Sequence, residues 1–375
     1  VTQHNAAKRF AGIETSLIRQ INALATPSHV NLGIGEPNIA PDENLRKLAI
    51  DVAANGSWQY TPNAGTLSLR TLIAGESGFD AQAEVCVTAG TEEALFSIFQ
   101  AYVDPGDEVL VPNPGFVAYA TLARIAGATV VTYDLAPTMP DWRVDIDSLL
   151  KKITPKTKLI VVNSPSNPLG SVIDAETLRA IANAGPLVVS DEVYREIWYD
   201  APPPSMLGMS DNVIVVGGMS KSHSMTGLRL GWVIARAAVM KPVVMAHQYI
   251  ATCASSFSQS LAEAILGSPV NRPWLEHVRA EFRKQRDAAL SAIARELEVT
   301  IAPPAGAFYA FVPVPACDTV TFAKTLAADA AVLVVPGVAF GSLGEGFVRI
   351  SYAASLDDIT RGIGHIGAWL RAAGR

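Results

Sequence analysis

Cysteine is scarce in this 375-residue chain: Cys86, Cys253 and Cys317 lie far apart and show no paired spacing. That excludes a disulfide framework and suits a reducing compartment. Positive charge is short as well. A net charge of −6 with no basic stripe along the chain excludes nucleic acid as a partner, because its phosphates call for clustered Lys and Arg. No apolar run reaches the ~20 residues that a membrane-spanning helix needs. The most apolar late stretch, around Ala330–Phe340, is interrupted by Pro336 and Gly337. Lys8, Arg9, Glu14, Arg19 and Gln20 break up the N-terminal residues, which leaves no apolar core for a secretory leader. Repeats and low-complexity segments are missing too, the 28 glycines and 24 prolines being spread rather than massed. These absences lead us to expect a cytoplasmic chain with no metal, nucleic-acid or membrane partner.

What is present is apolar material. At 49% hydrophobic residues, the chain can fill more than one core, since single cores stop growing near ~250–300 residues. Between about 84 and 236 short β-rich runs alternate with helical stretches: Glu84–Thr88, Glu108–Val111, Thr129–Tyr133, Leu159–Asn163, Leu187–Asp191, Val213–Gly217 and Leu230–Ala235. Several are continuously apolar, as strands buried on both faces are. Ala94, Leu95, Ile98 and Phe99 recur at helical spacing, as do Leu178, Ile181 and Ala182. The alternation predicts an α/β fold, a mostly parallel central sheet flanked by helices. From about 238 the texture shifts to a long charged helical region, short strands around Phe308–Val312 and Phe347–Tyr352, and a final helix. We read this as a smaller α+β domain. The expected division is an N-terminal segment, 1–40, packing on the small domain; a large domain, 41–270; and a small domain, 271–375.

Chemistry concentrates in a few segments. Gly218-Met-Ser-Lys221-Ser-His-Ser-Met-Thr-Gly-Leu-Arg229-Leu-Gly231 joins two strand-like runs. Most lysines are solvated surface groups, but one flanked by small residues between core strands is partly desolvated, which makes its amine a usable nucleophile toward carbonyls. Asp191 ends the run Leu187-Val-Val-Ser-Asp, where ligands of open α/β sheets gather, although it suits a helix cap equally. The same run followed by Asp-Glu resembles the metal strand of P-loop nucleotidases, which the lack of any Gly-Lys pair excludes. Asn163-Ser-Pro-Ser-Asn167-Pro-Leu-Gly170 makes a turn after a strand. Thr88-Ala-Gly90-Thr91-Glu92 makes a strand-to-helix junction, whose free N–H groups either bind phosphate or are simply well capped. Arg349 sits inside the apolar run Phe347-Val-Arg-Ile-Ser-Tyr352. A charge there needs a partner, either an internal carboxylate or a substrate's. Gly362-Ile-Gly-His-Ile-Gly367 matches a dinucleotide fingerprint formally, but it lies in a helical pattern with no preceding strand.

The Lys221 segment resembles the cofactor-lysine signature of the class I/II, fold-type-I pyridoxal-phosphate-dependent aminotransferases. A small residue precedes the lysine, an arginine follows eight positions on at Arg229, and Gly227 and Gly231 match. The serine common three residues before the lysine is replaced by Gly218. The remaining segments fall in family order from about 30 to 350. The resemblance implies that Lys221 carries pyridoxal 5′-phosphate covalently and moves the substrate proton, that Asp191 holds the cofactor's protonated ring nitrogen, and that Tyr194 and Asn167 bond its phenolic oxygen. It assigns the phosphate to Gly90, Thr91, the backbone of Glu92 and Arg229, with Tyr60 arriving from the partner subunit of a homodimer. Phe116 is the implied stacking ring. The substrate carboxylate falls to Arg349, Asn167 and Gly35, in the motif Leu32-Gly-Ile-Gly-Glu-Pro-Asn38. The implied reaction moves the amino group of an L-amino acid to a 2-oxo acid. A lyase, racemase or synthase on the same cofactor stays open. A cofactor-binding regulatory domain is disfavoured, since only about 30 residues precede the Gly35 motif.

Overall fold

The computed structural model describes residues 6–138, 141–315 and 318–374; Cys317 lies outside them. We number the strands in chain order: β1 (Val30–Asn31), β2 (Val85–Thr88), β3 (Glu108–Asn113), β4 (Thr129–Thr138), β5 (Asp141–Val144), β6 (Thr157–Asn163), β7 (Leu187–Asp191), β8 (Val213–Gly218), β9 (Gly231–Ile234), β10 (Tyr309–Pro313), β11 (Val332–Leu333), β12 (Val335–Pro336) and β13 (Phe347–Ser351). β2 through β9 form one sheet in the order β2-β9-β8-β7-β6-β3-β4-β5. The run from β8 to β4 is parallel, while β9 and β5 are antiparallel to their neighbours. The sheet is therefore mostly parallel, and each β-rich run read from the sequence forms one of its strands. The hairpin strand β5, absent from that reading, continues the sheet beyond β4.

The apolar runs have a direct cause. Every residue of β8 is buried, as are Val188, Val189, Ser190 and Asp191 of β7, because helices cover both faces. Leu95, Ile98 and Phe99 of helix Thr91–Tyr102 pack on one side; Leu178, Ile181 and Ala182 of helix Ala175–Ala182 pack on the other. Strand direction then sets where chemistry gathers. β3, β6, β7 and β8 all end at one edge, with Asn113, Asn163, Asp191 and Gly218. β9 runs the opposite way, so its entry, Arg229–Gly231, lies at that same edge. β2 is antiparallel to β9 and therefore delivers Thr88 and the helix start at Thr91 there too.

A three-stranded antiparallel sheet, β10-β13-β12, carries Arg349 on its central strand, between Phe311 and Val335. The N-terminal segment meets both regions: β1 pairs with β11, helix Leu17–Asn22 packs on β12, and the turn Lys8–Phe10 packs on helix Val117–Ala126. The Gly362–Gly367 pattern lies within helix Leu356–Ala372. There a Cβ on Gly362 would come within 2.9 Å of Leu32 and Val30, and one on Gly367 within 2.4 Å of the Glu296 carbonyl. Those glycines permit close packing within a helix. Among the described residues no helix is long and apolar enough to cross a membrane.

Candidate active site

At the carboxyl edge of the large sheet lies a cavity of about 650 Å³. Gly35, Thr91, Glu92, Phe116, Asn167, Asp191, Tyr194, Lys221, Arg229 and Arg349 all line it. Gly90 stands just behind the lining. Tyr60 does not enter the cavity of its own chain; it is 88% exposed, beside Trp58 and Cys253.

Asp191 is buried at the end of β7. It does not cap a helix. One carboxylate oxygen accepts from the Tyr119 hydroxyl at 2.8 Å and the other from the Val193 amide at 3.2 Å. Burial nevertheless wins, and the carboxyl is pushed up to about 6. The Asn163–Gly170 turn is tied to this strand end. Asn163 donates to the Asp191 carbonyl at 3.0 Å and accepts from the Asn167 amide at 2.8 Å. The turn carries cis bonds before Pro165 and Pro168.

Lys221 is half-buried and donates to the Gly35 carbonyl at 2.6 Å. Its amine is lowered to about 8, by burial first and then by the cation Arg349. A lysine so perturbed is roughly one-tenth neutral at pH 7, far more than at its ordinary value, which favours it as a nucleophile or proton carrier. Gly35 allows close approach, because a Cβ there would strike the Tyr309 hydroxyl at 2.4 Å. That hydroxyl shares a 2.8 Å hydrogen bond with Tyr194. Burial lifts the Tyr194 phenol well above its ordinary value, so it remains a donor.

Arg349 is 1% exposed, and no carboxylate pairs with it among the described residues. It donates to the Asn167 side-chain oxygen at 2.9 Å and the Gly33 carbonyl at 2.5 Å, and stacks over Tyr309 at 4.4 Å. Its Nε has no hydrogen-bond partner among the described residues. A buried guanidinium held by neutral groups is a receptor for an anion, since a lone buried charge is costly.

The far end of the cavity is open. Arg229, exposed and left-handed at φ 53°, donates to the Thr226 carbonyl at 2.8 Å. Gly90 (φ 92°) precedes helix Thr91–Tyr102, and a Cβ on it would lie 2.8 Å from the Arg229 guanidinium. Only glycine admits that approach. Free helical N–H groups beside a guanidinium suit a phosphate. Gly218 packs against Thr91 and the Leu230 carbonyl, where a Cβ would meet atoms at 3.1 and 2.9 Å. There is no room at 218 for the serine the resemblance implied, and this physical reason accounts for the departure.

Several lining residues escaped the sequence reading. Tyr119 lies one helical turn beyond Phe116, and i, i+3 spacing would have placed both on one face. Tyr309 and Asn163 carried no such signal. Glu14 and Arg19, from the N-terminal segment, line the mouth.

A family model described as aminotransferase class I and II matches residues 27–366. A probable aspartate aminotransferase of Methanocaldococcus jannaschii is 36% identical over 96% of this chain and 98% of its own. A probable N-acetyl-LL-diaminopimelate aminotransferase of Bacillus subtilis is 32% identical over 96% and 94%. Among solved structures, the aspartate aminotransferase of Thermus thermophilus with maleate superposes with a TM-score of 0.90 at 31% identity, covering 98% of this chain and 100% of that one.

Proposed function

From the premise that this chain belongs to the class I and II aminotransferases, and is a pyridoxal-phosphate-dependent aminotransferase, we propose that the cavity passes the amino group of an L-amino acid to a 2-oxo acid by way of the cofactor, which would be held on Lys221, with Lys221 moving the substrate proton. The observation that carries this is the convergence of three perturbed groups on one cavity. A lysine lowered to about 8, a buried carboxyl raised to about 6 and an arginine without an acidic partner meet there. The residues fit the cofactor. Asp191 supplies the buried anion that a ring cation needs, and the glycine-backed cup at Gly90, Thr91, the Glu92 amide and Arg229 suits its phosphate. Tyr194 and Asn167 supply donors for the phenolic oxygen, and Phe116 a ring face.

When bound, the cofactor supplies a sink for the electron pair left as the substrate's Cα–H bond breaks. Arg349 binds the α-carboxylate in a planar, bidentate way, and Asn167 and the Gly33 carbonyl fix the guanidinium plane. Carboxylate and backbone contacts, with Gly35 at the substrate side, hold the Cα–H toward Lys221. The neutral Lys221 amine takes that proton and returns it, as base and then acid. The nearby Arg349 charge helps keep the amine neutral.

The division into an N-terminal segment, a large domain and a small domain at about 40 and 270 is part of this reading, as is a homodimer. Exposed Trp58, Tyr60 and Tyr249, at 86, 88 and 83%, support a covered face there. The free thiols of Cys86 and Cys253 support a cytoplasmic setting. Borohydride reduction followed by peptide mapping tests the assignment, with the reduced cofactor expected on Lys221. Attachment to another lysine sinks it. A donor screen with 2-oxoglutarate as acceptor then identifies the amino acid, with aspartate, aromatic and diaminopimelate-type donors first.

A further inference from the structure

Behind the proposed phosphate cup lies a buried pair, neither member of which lines the cavity. His247 has no exposed surface, and the Glu93 side chain is 11% exposed. The imidazole Nε2 is 3.0 Å from the Asn63 carbonyl, which can only accept, so Nε2 donates. Nδ1 is 3.0 Å from both Glu93 oxygens. Two lone pairs facing each other at that distance repel, so a second proton lies between ring and carboxylate. The pair therefore holds its parts as imidazolium with carboxylate, or imidazole with carboxylic acid, and is neutral either way.

Glu93 stands in the first turn of helix Thr91–Tyr102, reaching back to accept from the Ala89 amide at 3.0 Å and taking the Ser97 hydroxyl at 2.6 Å. A bare carboxylate there would use the positive helix end and oppose a phosphate bound at the same turn. We propose that His247 cancels the Glu93 charge and thereby keeps the helix start receptive to the cofactor's phosphate, a positioning role resting on the cup assigned above. His247 also braces the Trp58–Gly65 loop through Asn63, whose side chain donates to the Thr252 carbonyl at 2.7 Å.

The test uses the enzyme stripped of cofactor and titrated calorimetrically with pyridoxal 5′-phosphate and with pyridoxal, which lacks the phosphate. The ratio of the two affinities isolates the phosphate contribution. His247→Gln should reduce that ratio by about tenfold or more, as an uncancelled buried charge near a dianion requires. Glu93→Gln alone should leave it near native, and the double variant His247→Gln/Glu93→Gln should recover most of the loss, since the offending charge is gone. An unchanged ratio in His247→Gln overturns the proposal. So does a reduced ratio that Glu93→Gln fails to restore, which marks His247 as structural packing only. If the native enzyme itself shows no preference for the phosphorylated form, the phosphate cup is wrong and this inference falls with it. A native preference unaffected by His247→Gln removes the pair alone.

Discussion

The two ends of the cavity are built differently. At the Asp191 end the carboxylate and the guanidinium are buried and held by their own chain, the Arg349 Nε excepted: Tyr119 and Val193 on the carboxylate, Asn163 on the carbonyl, Asn167 and Gly33 on Arg349. At the Arg229 end the guanidinium is exposed, and Tyr60 faces away from its own cavity. The first end is preorganised by the sheet edge of one chain, where fixed dipoles in low dielectric act most strongly. In the proposed homodimer, the second would be completed by the partner subunit. Substitutions at the buried end should therefore act on chemistry within one subunit, and substitutions at the open end should act on cofactor retention across two.

The largest effect should come from Asp191→Asn, which in the proposed reading cannot keep a ring nitrogen protonated. Turnover should fall by ~3 kcal/mol or more, roughly a hundredfold, the scale of a lost electrostatic element. Stability should move the other way. A carboxyl whose folded value is raised from 3.8 to about 6 binds its proton more tightly folded than unfolded, so its contribution to stability is full below about 4 and is lost as pH rises through about 6. In the cofactor-free enzyme, Asp191→Asn should thus raise the unfolding free energy at pH 7.5 by a few kcal/mol, with the gap closing below about pH 4. Denaturant curves at both pH values check this. Near-native turnover would break the contrast between the two ends.

Arg349→Ala comes next. It should raise KM for amino acids about a hundredfold or more, the loss of a buried bidentate carboxylate contact, while leaving the dissociation constant for the cofactor within a few fold. Simple amines should be affected least. Equal damage to amines and amino acids would make Arg349 structural.

The open end is tested by mixing. Inactive Lys221→Ala and impaired Tyr60→Ala chains, refolded together, form about half mixed dimers if pairing is random. One site of each mixed dimer then carries neither lesion, so roughly a quarter of all sites should recover. Activity no higher than the parents' average would confine each site to one chain.

Tyr119→Phe should have the smallest effect. It removes one hydrogen bond from Asp191, worth about 1.5–3 kcal/mol for a charged acceptor, and should raise the Asp191 carboxyl further. The acid limb of the pH–rate profile should shift upward by roughly one to two units. An unshifted limb would show that Tyr119 merely packs.

Much of this molecule was legible before any coordinates. Continuous apolar runs such as Val213–Val216 can only be strands covered on both faces, and their alternation with 3.6-period stretches leaves few topologies. Local chemistry was legible for the same reason. Lys221 between core strands and Arg349 in an apolar strand are charges in conflict with their neighbourhood, Asp191 stands at a strand end, and Asn167 and Arg229 are marked by the resemblance alone; all five line one cavity. Tertiary structure alone decided the partners. Tyr119 on Asp191, Tyr309 between Tyr194 and Gly35, Gly33 on Arg349 and His247 on Glu93 are separated by 72, 115, 316 and 154 residues. Only Tyr119 leaves a local mark, its i, i+3 spacing from Phe116; the other partners conflict with nothing in their local sequence. What joins them is packing: the edge of the large sheet, the three-stranded sheet that carries Tyr309 and Arg349, the N-terminal segment at Gly33 and the helix at His247 come together in the fold, where distance in the chain ceases to matter.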